Sequence, residues 1–180
     1  MCSEEIFATD IEYEKKIHKF YIDAMDIIDD VKGQSFFKEL AEDELSHVDF
    51  LKYSLEQLKT NKEIDLDKLK SSLPSQEIVK NQIEKMKGEI PERMLGDFKR
   101  ILTSALRLEI KTSEFYKDAY EKSEGQIKSI LKKFYEIEKN HENLVQVELD
   151  LAMNNGYWLN YMEIDIEDLQ ELPKPMFYLN

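Results

Sequence analysis

The chain repeats itself at long range. "FYIDA" at 20–24 recurs as "FYKDA" at 115–119, and "ELSH" from Glu44 to His47 is matched by "EKNH" from Glu138 to His141. Glu14 lies seven residues before Tyr21, and Glu109 lies seven before Tyr116. The copies are offset by 95 residues in their first halves and by 94 in their second. So constant an offset means two similar units, and within each the apolar period is helical. Two repeated helix hairpins pack naturally as an all-α, pseudo-twofold antiparallel four-helix bundle.

Side chains three, four and seven apart share one helix face. Ile11, Glu14, Ile17, Tyr21, Ala24 and Ile28 make the inward stripe of the first predicted helix. Phe37, Leu40, Glu44, His47, Leu51 and Leu58 make that of the second. The third carries Leu102, Ala105, Glu109, Thr112, Tyr116 and Ala119, and the fourth Leu131, Phe134, Glu138, His141, Val145 and Ala152. Each stripe is interrupted near its middle by a carboxylate.

End signals divide the chain. Thr9 with Glu12 reads as a capping box opening the first helix, and Gly33 as its stop. The second helix is expected from Ser35 to Thr60, the third from Pro91 to Gly125, and the fourth from Gln126 to Gly156. One domain over residues 1–180 is expected, with hairpins at about 9–60 and 91–155. Residues 61–90 form a polar crossover containing Pro74 and a weaker helical pattern at "SQEIVKNQIEKMK". The aromatic tail at 156–180, with Tyr157, Trp158 and Tyr161 as gap fillers, is expected to be mostly irregular.

Composition narrows the function. The 38 acidic residues against 25 basic ones give a net charge of −13, which argues against nucleic acid and anionic membrane as partners. No stretch reaches the ~18 apolar residues of a membrane span. No basic segment followed by an apolar run marks a secretion signal. A soluble cytoplasmic protein is the expectation. With Cys2 as the single cysteine, neither an intrachain disulfide nor a four-cysteine iron site can form.

Four carboxylates in one dry core repel each other and lack water. Burying even one unpaired charge costs several kcal/mol. Either protons or cations must supply the missing positive charge. Two divalent ions balance Glu14, Glu44, Glu109 and Glu138, with His47 and His141 neutral. The Glu-x-x-His spacing puts both groups of a motif on one helix face, within reach of one metal site. Glu-x-x-His alone is weakly specific; its conjunction with a second motif and two further inward glutamates at one offset is what carries weight.

The order Glu14…Glu44-x-x-His47…Glu109…Glu138-x-x-His141 resembles the ferritin-like di-iron carboxylate proteins. The Glu-x6-Tyr pairs, with "FY" in both hairpins, look most like the rubrerythrin branch. The resemblance covers about Asp10 to Asn155. It implies that Glu44 and Glu138 bridge two metals, that Glu14 and Glu109 are terminal ligands, and that His47 and His141 give one nitrogen each. It implies Tyr21 and Tyr116 as donors that orient the carboxylates, the alternative being core packing. Iron is the implied metal, and manganese also suits an oxygen-rich site with one imidazole per ion.

The sequence departs from the resembled family in two places. Where similar proteins carry an extra glutamate three residues after the one on the third helix, this chain has Thr112, which puts a redox-driven metal shift in doubt. It also lacks the cysteines of a rubredoxin-like module, so electrons would come from a separate donor protein. His18, four residues after Glu14, is a candidate for a supporting role or for the missing ligand. Glu39, Glu42, Glu136 and Glu142 fall off the inward faces and read as solvated, and the methionines read as gap fillers.

The resulting expectation is a di-iron oxidoreductase reducing H2O2 or O2, associated as a homodimer as the resembled family commonly is. Two readings stay open beside it. One is a ferroxidase or iron-storage protein; the other is a helical interaction module whose metals only staple the fold.

Overall fold

The computed structural model describes residues 3–75, 78, 87–89, 93, 95–155 and 157–159. Four long helices dominate: α1 (Ser3–Ile27), α2 (Val31–Lys59), α3 (Leu95–Glu121) and α4 (Gly125–Asn155). α1 packs along α2 and α3 along α4, as two hairpins. Tyr21 on α1 meets Glu109 on α3 while the earlier Glu14 meets the later Tyr116, so these helices run antiparallel. His47 with Glu138, and Glu44 with His141, fix the same sense for α2 and α4. The architecture is the all-α antiparallel four-helix bundle that the repeat predicts and that the ferritin-like resemblance implies.

The helix starts differ from the sequence expectation, and packing explains why. α1 begins at Ser3, and Thr9 lies inside it with its hydroxyl donating to the Glu5 carbonyl, so no capping box forms there. Extending the helix places Phe7 on the inward stripe, fully buried. That burial is worth ~1.5–3 kcal/mol against ~1 kcal/mol for a cap. Gly33 does not stop α1. The link is only three residues long, and Asp30 caps α2 by accepting from the Gly33 N–H at 2.9 Å. A Cβ at Gly33 would lie 2.8 Å from Ile28 Cγ2 and 3.2 Å from Phe98, so close approach of the hairpins requires glycine there. Ser35 lies one turn inside α2, its hydroxyl bonded to the Val31 carbonyl.

α2 ends as expected at Thr60, followed by Asn61 in the left-handed region at φ 51°. α3 stops at Glu121, and Gly125, at φ 58°, begins α4. Pro91, Gly156, Tyr161 and nearly all of the weak helical pattern in the crossover lie outside the described residues. Part of the tail is ordered: β2 (Tyr157–Leu159) pairs antiparallel with β1 (Lys87–Glu89), with Gly88 opposite Trp158. This two-stranded ribbon replaces the irregular structure expected for those three tail residues.

The core consists of two apolar layers on either side of a polar belt. One is built around Ile17, Phe37, Leu40, Leu102 and Val145, the other around Phe7, Leu51, Leu131 and Phe134. The first part of the crossover is anchored. Ile64, Leu69 and Leu73 are buried, and α4 holds three of its carbonyls: Gln126 donates to Ile64, Lys133 to Leu66 and Asn140 to Pro74. None of the described helices is long and apolar enough to cross a membrane.

Candidate metal centre

Glu14, Glu44, His47, Glu109, Glu138 and His141 all lie in the polar belt, and each is 0% exposed. They fall into two overlapping sets. Glu14, Glu44, His47 and Glu138 bring one ligand-type atom each within 4.8 Å of one another, and so do Glu44, Glu109, Glu138 and His141. Glu44 and Glu138 belong to both sets, while each set has its own glutamate and its own histidine.

His47 turns Nδ1 toward three carboxylates, at 3.1 Å from Glu138, 3.4 Å from Glu44 and 3.5 Å from Glu14. His141 Nδ1 lies 2.9 Å from Glu44 and 3.7 Å from Glu138. The two imidazoles are nearly parallel, with centroids 5.3 Å apart. The tyrosines cross between hairpins: Tyr21 donates to Glu109, and Tyr116 donates to Glu14. Each hydroxyl therefore fixes one oxygen of the glutamate on the opposite hairpin, not that of its own helix. Tyr116 also stacks on Phe134 at 4.9 Å, which holds the ring in place.

The electrostatics show a metal-free belt that relies on protons. Burial pushes the Glu44 carboxyl well up, helped by the neighbouring charges of Glu138 and Glu14. Burial also raises Glu138, and it lifts Glu109 to about 8. For the histidines burial works in the opposite direction but is outweighed. Glu138, Glu14 and Glu44 around His47 hold its imidazole well above the usual range, and Glu138, Asp43 and Glu44 do so for His141. Only Glu14 among the four glutamates is lowered: its burial is offset by hydrogen bonding with Glu44 and His47, the charge of His47 and the Tyr116 hydroxyl.

Even so, the belt's polar atoms are under-satisfied. Glu14 Oε2, Glu44 Oε2, Glu109 Oε2, both Glu138 oxygens and both His47 nitrogens are buried without a well-formed hydrogen bond. Buried polar groups are normally paired. Six of these seven unpaired atoms, all but His47 Nε2, lie on residues of the two four-residue sets and on the glutamate side of the rings; that is the chemistry of a cation site, and the residues present fit a pair of divalent ions.

A sequence model of the rubrerythrin family matches residues 5–149. The chain belongs to the rubrerythrin family. The bundle is also similar to the solved structure of a hypothetical protein from Pyrococcus furiosus, with a TM-score of 0.61 and 19% identity over 86% of this chain and 92% of that one. At that identity the likeness speaks for the fold alone. No curated protein matches the chain. In this rubrerythrin-family protein Thr112 is buried, its hydroxyl donating to the Leu108 carbonyl, so no carboxylate enters the belt from that position. His18 does not replace it. Its Nδ1 lies 2.9 Å from the Ala41 carbonyl, linking α1 to α2 away from the six belt residues.

Lys38 pairs with Glu42 and Lys132 with Glu136 at the surface, in keeping with their off-face positions. Glu142 departs from that expectation, being mostly buried and accepting from Ser113.

Sequence reasoning missed three buried acids, Asp10, Asp43 and Glu148. Asp43 approaches His141 Nε2 at 2.9 Å and His47 Nε2 at 3.5 Å, behind the rings as seen from the glutamates. Burial would raise its carboxyl, but the His141 hydrogen bond and the charges of both histidines hold it below the usual range. Asp10, one turn before Glu14, is fully buried with neither oxygen hydrogen-bonded. The signal for Asp10 was its four-residue spacing from Glu14. The signal for Asp43 was likewise its spacing: three residues after Leu40 and four before His47, it shares their helix face.

Proposed function

We propose that the chain is a di-iron oxidoreductase that reduces hydrogen peroxide or dioxygen, with electrons from a separate donor protein. The observation that carries this reading is the pair of four-residue sets sharing Glu44 and Glu138. Glu44 and Glu138 would bridge the ions, Glu14 with His47 would complete one and Glu109 with His141 the other. One imidazole and otherwise oxygen ligands per ion favour iron or manganese over thiolate-seeking metals.

A bound pair of ferrous ions would supply the two electrons that, together with two protons, take one peroxide to two waters. The protein's own groups do the rest. Tyr21 and Tyr116 hold one oxygen of Glu109 and Glu14, leaving the second free for a metal. Asp43 takes the Nε2 side of both histidines, which leaves Nδ1 for the ions and fixes the ring orientation. The apolar layers above and below the belt limit water access and side reactions. Buried groups that carry protons in the metal-free state release them when metal binds.

The test loads the protein with Fe(II) anaerobically, mixes it with H2O2 and follows ferric absorption. Oxidation much faster than that of free Fe(II) is expected. A rate equal to that of free Fe(II) would remove the enzyme reading and leave a metal that only staples the bundle. Size in solution separates the storage reading, since retained mineral needs a large hollow shell.

A further inference from the structure

The crossover reaches into the metal centre through one side chain. Asp43 Oδ2 accepts from Ser71 Oγ at 2.6 Å, on the same oxygen that faces His141 and His47. Its Oδ1 accepts from the Ser72 N–H at 2.7 Å and the Ser72 hydroxyl at 3.1 Å. Ser71 Oγ in turn accepts from the Leu73 N–H at 3.2 Å, so the turn is closed on itself. Leu69 and Leu73, on either side of the serines, are buried, and Asn140 of α4 holds the Pro74 carbonyl.

The support is one-sided. The repeat places Ile137 where a second Asp43 would stand, so no equivalent carboxylate comes from the second hairpin. Both imidazoles therefore lean on a single carboxylate, and that carboxylate is set by two serines outside the bundle. An aspartate rotated away from the histidines would leave His141 Nε2–H buried and unpaired, at about 1–3 kcal/mol, and would take from His47 Nε2 the carboxylate that faces it at 3.5 Å.

We propose that the Ser71–Ser72 turn of the crossover is a positioning element of the metal centre, so that docking of the crossover and occupancy by metal are coupled. The inference rests on the metal-binding part of the proposed function and is independent of its oxidant chemistry. The chain of contact is continuous: the serines fix the Asp43 rotamer, Asp43 fixes the Nε2-protonated tautomer and plane of His141 and faces Nε2 of His47 at 3.5 Å, and the rings present Nδ1 to the ions. Coupling of this kind is reciprocal, so metal must tighten the turn as much as the turn favours metal.

The experiment measures Fe(II) affinity anaerobically against a competing chelator, for wild-type protein, S71A/S72A, S71T and the control S75A. Losing the supports behind a ligand typically costs ~10–100-fold in metal affinity, and that loss is expected for S71A/S72A. S71T, which keeps a hydroxyl, and S75A are expected near wild type. Hydrogen exchange supplies a readout free of activity: the Ser72 amide is expected to exchange more slowly in metal-loaded than in metal-free wild-type protein. An affinity for S71A/S72A within about twofold of wild type, or a Ser72 amide indifferent to metal, overturns the coupling while the metal site stands. A wild-type chain that binds no Fe(II) overturns the di-iron reading and this inference with it.

Discussion

Replacing Glu44 and Glu138 together by glutamine abolishes metal binding and flattens the pH dependence of the metal-free protein's stability. The two effects share one cause. These two carboxylates are common to both four-residue sets, so their loss takes two potential ligands from each set at once. In the metal-free wild type the same groups are costly as anions. Glu44, Glu138 and Glu109 have raised pKa values in the fold, Glu109 at about 8, so folding favours their protonated forms. Their contribution is complete below the unfolded pKa of 4.5 and is lost as pH rises through the folded values. His47 and His141, also raised, contribute stability below 6.5 that is lost as pH climbs through their folded values. Both sets act in the same direction, so the metal-free protein weakens from mildly acidic to alkaline pH.

Glutamine imitates the protonated glutamate and cannot ionise, so the double variant lacks that share of the slope. Metal-loaded wild type behaves in the opposite sense: its ligands must deprotonate, so affinity rises with pH over the range where the empty protein weakens. Denaturant titration at several pH values, with and without metal, separates these cases. Equal slopes for wild type and E44Q/E138Q without metal would mean that the ionisation of these two glutamates does not contribute to the pH dependence.

Asp10→Asn stabilises the protein at neutral and alkaline pH. Asp10 has no hydrogen-bond partner for either oxygen, and burial, with the charge of Glu14 one turn away, lifts its carboxyl from 3.8 to about 8. In the unfolded chain it ionises near 3.8, so the wild type loses stability progressively as pH rises from there to about 8. Each unit of difference is worth about 1.4 kcal/mol, which puts the loss across that window on the order of 5 kcal/mol. Asparagine has no proton to lose and nearly the same shape. The difference between wild type and D10N is expected to be small at pH 4 and to grow to several kcal/mol by pH 8. A constant difference across this range would show that Asp10 ionises as readily in the fold as out of it.

The sequence made the belt legible because the ligand pattern is periodic twice over, at helical spacing within a hairpin and at a fixed offset between hairpins. Glu14, Glu109, Tyr21 and Tyr116 could be placed on inward stripes from spacing alone. The crossing of each tyrosine to the other hairpin's glutamate could not, because it depends on the relative slide of α1 and α3. Helix starts were misplaced where local capping signals competed with burial: Thr9 and Gly33 look like ends, but Phe7 and the tight approach at Ile28 decide otherwise. Asp43 and Asp10 escaped because the repeat pairs them with Ile137 and Ala105, so neither recurs. Ser71 and Ser72 sit in a polar stretch whose sequence has no period, and only the fold reveals what they hold.

The most direct measurement is the number and separation of metal ions in the Fe(II)-loaded protein, from elemental analysis with X-ray absorption. Two ions per chain, within the ~3.5–4 Å typical of two-metal sites and with mixed oxygen and nitrogen ligation, are the predicted result. A chain that retains no ion, or a single ion with no second metal nearby, would contradict a belt of four buried glutamates held together by a metal pair.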